Sequence, residues 1–271
     1  MIPYGEIDTV FLDVGNTLIS IDFDWVAREL SARNAPCVAE ELRRAEAKAR
    51  PAYADRIFIE GLPAGADLFR LYLEAMIKEI DEISCLPPAE FDALLGDLRK
   101  VLRPAGTGAS LLWRSVMPRV PEALARFQSM GKKLVIVSNS DGTVERSITE
   151  AGLRPFFAVV VDSAIAGYEK PDPRIFAHAL EASGATPERT LHVGDIYHAD
   201  VTGARGAGVH AVMLDPYNDW TISDCPRVPD VWAVADLLEQ GGNQGKGIAS
   251  AGPDGAASPL GRAVEDRSAR N

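Results

Sequence analysis

Read as a pattern of apolar and polar positions, the chain changes character three times. Residues 8–14 form a short, nearly continuous apolar run around Asp13 that ends in Gly15-Asn16, which predicts a buried strand stopped by a turn. From about Asp24 to Lys100 the apolar positions recur at helical spacing. The runs Trp25 to Arg33, Val38 to Arg50, Ala66 to Ile83 and Pro88 to Val101, punctuated by Pro51, Pro63, Pro87 and Pro104, predict four helices. After Val120 strand and helix alternate. Helices are expected over 121–130, 143–152, 173–183 and 199–207, with strands from Lys133 to Val137, Phe157 to Val161, Thr190 to Val193 and His210 to Leu214. Repeated strand–helix units predict an α/β fold in which a parallel sheet is covered on both faces.

The helical stretch separates the first strand from all the others. The simplest architecture is therefore a Rossmann-like core formed by residues 1–20 and 104–239, with an inserted helical cap over 21–103. From Gln240 the composition turns to Gly, Ala, Ser and Pro with isolated charges, which buries too little surface to offset chain entropy. Residues 240–271 are expected to form a disordered tail.

Composition narrows the function classes. A chain of 271 residues can bury a full core, and 46% apolar with 25% charged residues is ordinary for a folded protein. The formal net charge of −11, with no cluster of lysine and arginine, argues against nucleic acid as partner. Cys37, Cys85 and Cys225 lack CxxC spacing and are odd in number, which argues against a disulfide framework or a zinc site. The start of the chain has no basic stretch ahead of its short apolar run, and nowhere do eighteen apolar residues follow one another. A cytoplasmic location, without membrane attachment, is the expectation; the oligomeric state is left open.

In open parallel sheets ligands bind beyond the carboxyl ends of the strands. Four strands end there in a polar residue: Asp13, Ser138, Asp162 and Asp195. Lys170 in Gly-Tyr-Glu-Lys-Pro-Asp-Pro and Asp200 join them at the same mouth. Taken singly, each has an ordinary alternative: an acidic residue or Ser138-Asn139 at a strand end also caps the helix that follows, and a lone lysine is usually solvated.

The set DVGNTL, VSNSDG, GYEKPDPRIF and HVGDIYHADVTGARGAG resembles, in order and context, the motifs of the haloacid dehalogenase superfamily, over about residues 7 to 235. The chain looks like the branch whose type-one helical cap follows the first motif. The resemblance implies a magnesium-dependent hydrolase, a phosphatase acting on a small phosphorylated metabolite through an aspartyl-phosphate intermediate. Asp13 would be the nucleophile, Ser138 would hold the transferring phosphoryl group, and Lys170 would steady both. Asp195 and Asp200 would serve the metal.

The chemistry of these residue types agrees. A carboxylate and a phosphate dianion repel, so attack needs a divalent cation and a lysine to neutralise charge. Magnesium takes hard oxygens and keeps several waters; Asp13, Asp195 and the Gly15 carbonyl would suffice, with Asp200 behind them or bridging through water. Asn139, at the strand-to-helix turn, joins Ser138 and Lys170 as a substrate-binding candidate because free amides there favour an anion.

One position departs from the family's pattern. Its phosphatases carry a second aspartate two residues after the nucleophile, which protonates the leaving alcohol and then activates water. Here Gly15 stands in that place and cannot transfer a proton. Three readings follow: a phosphatase for esters whose leaving groups need little protonation, or one that borrows a group from the cap; another chemistry of the superfamily, such as phosphonate cleavage using Lys48 or Lys78; or a weakly active or inactive relative that binds a phosphorylated ligand.

Other features read as structural. The glycines of 203–208 suggest close packing and a helix stop, not a dinucleotide loop. His178, His192, His198 and His210 show no metal spacing. Tyr53, Arg56, Phe58 and Trp113 reach toward the opening on paper but read equally well as helix-face residues.

Overall fold

The computed structural model describes residues 1–105 and 111–249. Eight strands carry the core: β1 (Thr9–Leu12), β2 (Ile19–Ile21), β3 (Trp113–Val116), β4 (Lys133–Ser138), β5 (Val159–Asp162), β6 (Thr190–Gly194), β7 (His210–Leu214) and β8 (Arg227–Val228). Six of them form one sheet in the order β5-β4-β1-β6-β7-β8, with every neighbouring pair parallel. The expected α/β class is observed. β1 lies between β4 and β6, Leu12 pairing with Ile136 on one side and Val193 on the other. The sheet order reverses at β1, which is where an open parallel sheet leaves a crevice.

Side chains alternate along β1. Val10 and Leu12 enter one core with Leu124, Phe127, Ile148 and Leu238, whereas Phe11 enters the core on the opposite face with Val135, Val137, Phe176 and Met213. Both faces are buried, so the strands read as continuous apolar runs instead of alternating ones. The flanking helices are α6 (Val120–Ser129), α7 (Val144–Glu150), α8 (Ser163–Ala166), α9 (Pro173–Ser183), α10 (Gly203–Gly206) and α11 (Val231–Ala249).

Between β2 and β3 the chain builds a helical insertion of α1 (Phe23–Ser31), α2 (Ala39–Asp55), α3 (Leu68–Ile77), α4 (Asp81–Ser84) and α5 (Pro88–Leu102). It has its own apolar core, centred on Phe23, Leu30, Leu42, Leu73, Leu95 and Leu98. β2 and β3 pair antiparallel, Ile19 with Val116 and Ile21 with Trp113, so the strands leading into and out of the insertion lie side by side.

The pattern-based helices differ from these in three places. The run Ala66 to Ile83 splits at Lys78–Ile80 into α3 and α4. Pro51, expected to end a helix at Arg50, sits inside α2, which continues to Asp55 and then widens into a π-turn over Arg56–Glu60. Proline in a helix interior costs about 3 kcal/mol; buried tertiary contacts are made on both sides of it, by Arg50 and by Ala54. The helix expected over 199–207 is a π-turn, Tyr197–Thr202, followed by the single turn α10.

α11 also runs through the first residues of the stretch expected to be disordered. Gly241 serves a close approach: a β-carbon there would stand 2.5 Å from Tyr4 Cβ and 2.8 Å from the Gly5 nitrogen, so the helix packs backbone to backbone on the N-terminal turn. The remainder of that stretch, 250–271, lies outside the described residues, as do 106–110 beside the expected boundary at 104. Among the described residues no helix is long and apolar enough to cross a membrane. All three cysteines are free.

Candidate active site

The topology brings the ends of β1, β4 and β6 together, and with them the predicted residues. Asp13 follows β1; its amide donates to the Val193 carbonyl at 2.9 Å, which extends the ladder by one residue and fixes the carboxylate over the sheet edge. Ser138 ends β4 and its hydroxyl donates to Asp13 Oδ1 at 2.9 Å. Lys170 Nζ donates to the same oxygen at 2.6 Å and to Asp200 Oδ1 at 2.6 Å. No described protein donor reaches Asp13 Oδ2. All four side chains are buried.

The side chain of Asn139 has a task of its own. Its side-chain amide donates to the Lys170 carbonyl at 2.9 Å, and its oxygen accepts from the Lys170 amide at 2.7 Å. This two-point clamp sets the backbone of Lys170, whose peptide bond to Pro171 is cis. The side chain of Asn139 thus positions the lysine, leaving only backbone for an anion.

Asp200 is fully engaged by the protein. Oδ1 meets Lys170 and the His192 Nε2 at 2.9 Å, and Oδ2 accepts from the Ile196 amide at 2.9 Å. A β-carbon on Gly194 would stand 2.2 Å from the Asp200 carboxyl carbon, so only glycine allows this approach. Burial opposes the charge of Asp200, but Lys170 and His192 together hold its carboxyl well below the usual range. Burial lowers the pKa of His192, against the pull of Asp200. His192, which reads as structural from sequence, is therefore connected to Lys170 through one carboxylate.

Asp195 differs. Burial pushes its carboxyl up to about 8 although Arg50 Nη1 lies 3.2 Å from Oδ2, because Asp13, Asp200 and Glu46 crowd it. Asp13 is raised for the same first reason, burial, against the lowering effect of Lys170. Across the mouth four buried carboxylates, Asp13, Glu46, Asp195 and Asp200, face two buried cations, Lys170 and Arg50. Were all four ionised they would exceed the cations by two; without a further cation, burial pushes Asp195 and Asp13 toward the protonated form instead. A divalent cation fits that donor set: Asp13, Asp195 and the Gly15 carbonyl offer hard oxygens, and Asp200 stands behind them, occupied by protein donors.

Other candidate residues lie outside this cluster or serve the fold. Asp162, which also ends a strand, serves only as a cap, accepting from the amides of Gly142, Val144 and Ala164 at 3.2, 3.1 and 3.0 Å. Lys48 and Lys78 pair with Glu79 and Glu74 on the exposed face of the insertion, away from the mouth. Gly203 packs on Phe176 and Pro171, and Gly208 ends a turn at φ +77°, as close packing requires. His198 meets Asp55 at 2.8 Å, with Phe58 beside its ring.

Three residues of the insertion went unnoticed in the sequence. Glu46 and Arg50 are an i,i+4 pair that normally marks a solvated helix face; here both are buried at the mouth, with Tyr72 donating to Glu46 at 2.8 Å. Trp113 lies over Gly15, and Tyr72 stacks on Trp113 with ring centroids 5.8 Å apart.

With this geometry in hand, similarity to known proteins is informative. A family model described as haloacid dehalogenase-like hydrolase matches residues 7–208. The haloacid dehalogenase-like hydrolase domain-containing protein 3 of Bos taurus is 43% identical over 99 residues, 36% of this chain and 39% of that protein. The match thus spans about two fifths of that relative. Phosphoserine phosphatase of Thermus thermophilus is 42% identical over 126 residues, 45% of this chain and 49% of the relative. Glyceraldehyde 3-phosphate phosphatase of Methanopyrus kandleri is 30% identical over 205 residues, 71% of this chain and 84% of the relative. Among solved structures, the HAD-hydrolase YfnB of Bacillus subtilis, bound to magnesium, superposes with a TM-score of 0.60 at 20% identity, covering 86% of this chain and 98% of that one. That likeness establishes the fold alone.

Proposed function

This chain belongs to the haloacid dehalogenase-like hydrolase family, and on that footing we propose that it is a magnesium-dependent phosphatase acting on a small phosphorylated metabolite. The observation that carries the reading is the state of Asp13. One carboxylate oxygen is held by Ser138 and Lys170, and the other meets no described protein donor. A carboxylate pinned in this way presents one lone pair along a fixed line, which is what in-line attack on phosphorus needs.

In this reading Asp13 Oδ2 attacks phosphorus, the P–Oδ2 bond forms as the bond to the leaving oxygen breaks, and that oxygen departs with the bonding pair. Water then cleaves the aspartyl phosphate, returning Asp13 and inorganic phosphate. Lys170 neutralises charge on Asp13, and Ser138 directs its hydroxyl to the same locus. Asp13, Asp195 and the Gly15 carbonyl would hold magnesium, which supplies charge neutralisation at the transferring group.

No carboxylate follows at Gly15, and Trp113 lines that wall. Leaving groups that need little protonation, acyl or aryl phosphates, fit best, since the missing proton transfer is worth about 10²- to 10⁴-fold. The phosphatase relatives are named for alkyl phosphates; their substrates are the first candidates to compare. The apolar wall at Gly15 also favours a second reading, a relative that binds a phosphorylated ligand with little turnover. Phosphonate cleavage through a lysine of the insertion is disfavoured by the outward pairing of Lys48 and Lys78.

The deciding measurement is phosphate release from acetyl phosphate, p-nitrophenyl phosphate, phosphoserine and glyceraldehyde 3-phosphate, with magnesium and with EDTA, for wild type and Asp13→Asn. Magnesium-dependent release that Asp13→Asn abolishes is expected. Equal inertness of both on the whole panel would overturn the enzymatic reading.

A further inference from the structure

Between the insertion and the core runs a buried polar chain that the proposed reaction does not use. Arg50, on α2, is 6% exposed, and its guanidinium is shared. Nε and Nη2 donate to the two oxygens of Glu46 at 3.1 and 2.5 Å, while Nη1 stands 3.2 Å from Asp195 Oδ2. Glu46 is 3% exposed and accepts at Oε1 from Asn16 Nδ2 and the Tyr72 hydroxyl, both at 2.8 Å. Asn16 itself sits in the left-handed region, at φ +48°, immediately after the nucleophile loop.

The energetics make this arrangement conspicuous. An exposed i,i+4 pair contributes about 0.3–0.5 kcal/mol and needs no further partners. Removing both ions from water costs several kcal/mol each and is recovered only with full hydrogen bonding. Glu46, Arg50 and Tyr72 come from the insertion, whereas Asn16 and Asp195 come from the core. Full pairing is therefore reached only when the insertion packs against the mouth, and the group it delivers there is a guanidinium nitrogen to Asp195.

A carboxylate has two oxygens, and Arg50 Nη1 faces one of them as an ion pair. Glu46 takes the hydrogen bonds of Nε and Nη2 and neutralises the guanidinium, so its repulsion toward a nearby dication is largely cancelled while the fork is held in place beside Asp195. Partners of this kind behind a ligating carboxylate typically change metal affinity by 10- to 100-fold. We infer that Arg50 is a positioning residue for the cation site, orienting Asp195 from the insertion, so that divalent-cation affinity and closure of the insertion over the mouth are linked. The inference rests on the metal dependence proposed above. Such linkage is reciprocal: closure favours the cation, and the cation favours closure by the same factor.

Calorimetric titration of MgCl₂ into substrate-free protein tests the first half. Arg50→Lys keeps the charge, but one ammonium cannot bridge Glu46 and Asp195 together. About tenfold weaker magnesium binding is expected for it and for Arg50→Gln, with circular dichroism melts verifying that each is folded. Hydrogen exchange on the wild type tests the second half without any substitution: magnesium should slow exchange several-fold in residues 46–60. Unchanged or tighter binding in folded Arg50→Lys overturns the positioning role, and exchange indifferent to magnesium overturns the linkage. A flat wild-type isotherm removes both this inference and the proposed metal dependence, and is told apart because it needs no variant to be seen.

Discussion

The indole of Trp113 lies over Gly15, with its Cζ3 and Cη2 atoms 3.6 Å from where a β-carbon on that glycine would stand. That distance is ordinary contact for a methyl group, but a carboxylate extended from the same carbon would meet an aromatic wall. Gly15→Ala is expected to fold within about 0.5 kcal/mol of wild type. Gly15→Asp, which restores the family's acid–base group, is expected to cost about 1–3 kcal/mol in urea unfolding, because the charge lacks partners. Hydrolysis of alkyl phosphates should rise only when Trp113→Ala accompanies it. A gain from Gly15→Asp alone would show that the ring yields.

Asn139 acts on chemistry through Lys170. Its clamp on the lysine backbone is replaced by water in Asn139→Ala, and a loss of about 1–2 kcal/mol is expected. At this chain length that corresponds to roughly 2–8 °C in thermal midpoint. The fall in turnover should be in kcat, with KM little changed, since the displaced lysine serves the nucleophile.

His192 supplies a pH prediction. Burial lowers its pKa below the unfolded value near 6.5, so the unfolded chain binds the proton more readily. The stability it contributes is complete above about pH 6.5 and is lost as pH falls through the lower folded value. In His192→Gln the fall in thermal midpoint between pH 7.5 and 5 should be smaller than in wild type. An identical pH profile would show that the imidazole is not held neutral.

Metal removal should be visible in stability. EDTA leaves the crowded carboxylates at the mouth without a compensating cation, so its addition is expected to lower the thermal midpoint relative to saturating magnesium; at 100 times Kd the ligand contributes about 2.7 kcal/mol. Asp195→Asn should raise the midpoint in EDTA by removing one of those carboxylates. The same substitution should abolish the magnesium-dependent increment.

The sheet and the residues at its edge were legible because two simple regularities coincide. Apolar runs such as Leu134 to Val137 identify buried parallel strands, and a polar residue at the end of each marks the mouth. The helices of the insertion were legible as helices but not as neighbours of the site. Glu46 and Arg50 repeat at the spacing of any solvated ion pair, and nothing local distinguishes a face that packs on another domain from one that meets water. His192 stands between Leu191 and Val193 in a strand buried on both faces, so alternation could not reveal which way it points. Pro51 is deceptive because its cost is local, whereas the contacts around it are distant in sequence: Ala54 is buried in the core with Phe176 and Met213, and Arg50 faces Asp195. β2 and β3 are not legible because β2 is only three residues long and β3, Trp113–Val116, is half-buried with Arg114 and Ser115 in its middle, so neither forms an apolar run.

Those two short strands change what the insertion means for the rest of the chain. Ile21 and Trp113 are register partners, so the long excursion between them returns to its starting point. From the sheet's side it is topologically a hairpin loop, and closing a loop costs entropy that grows only with the logarithm of its length. A turn of about four residues joining Ile21 to Trp113 would close the same ladder. The interval between these strands is thus a graft point, where helices of different length or sequence can be exchanged while the pairing of β1 with β4 and β6, and the placement of Asp13, stay as they are.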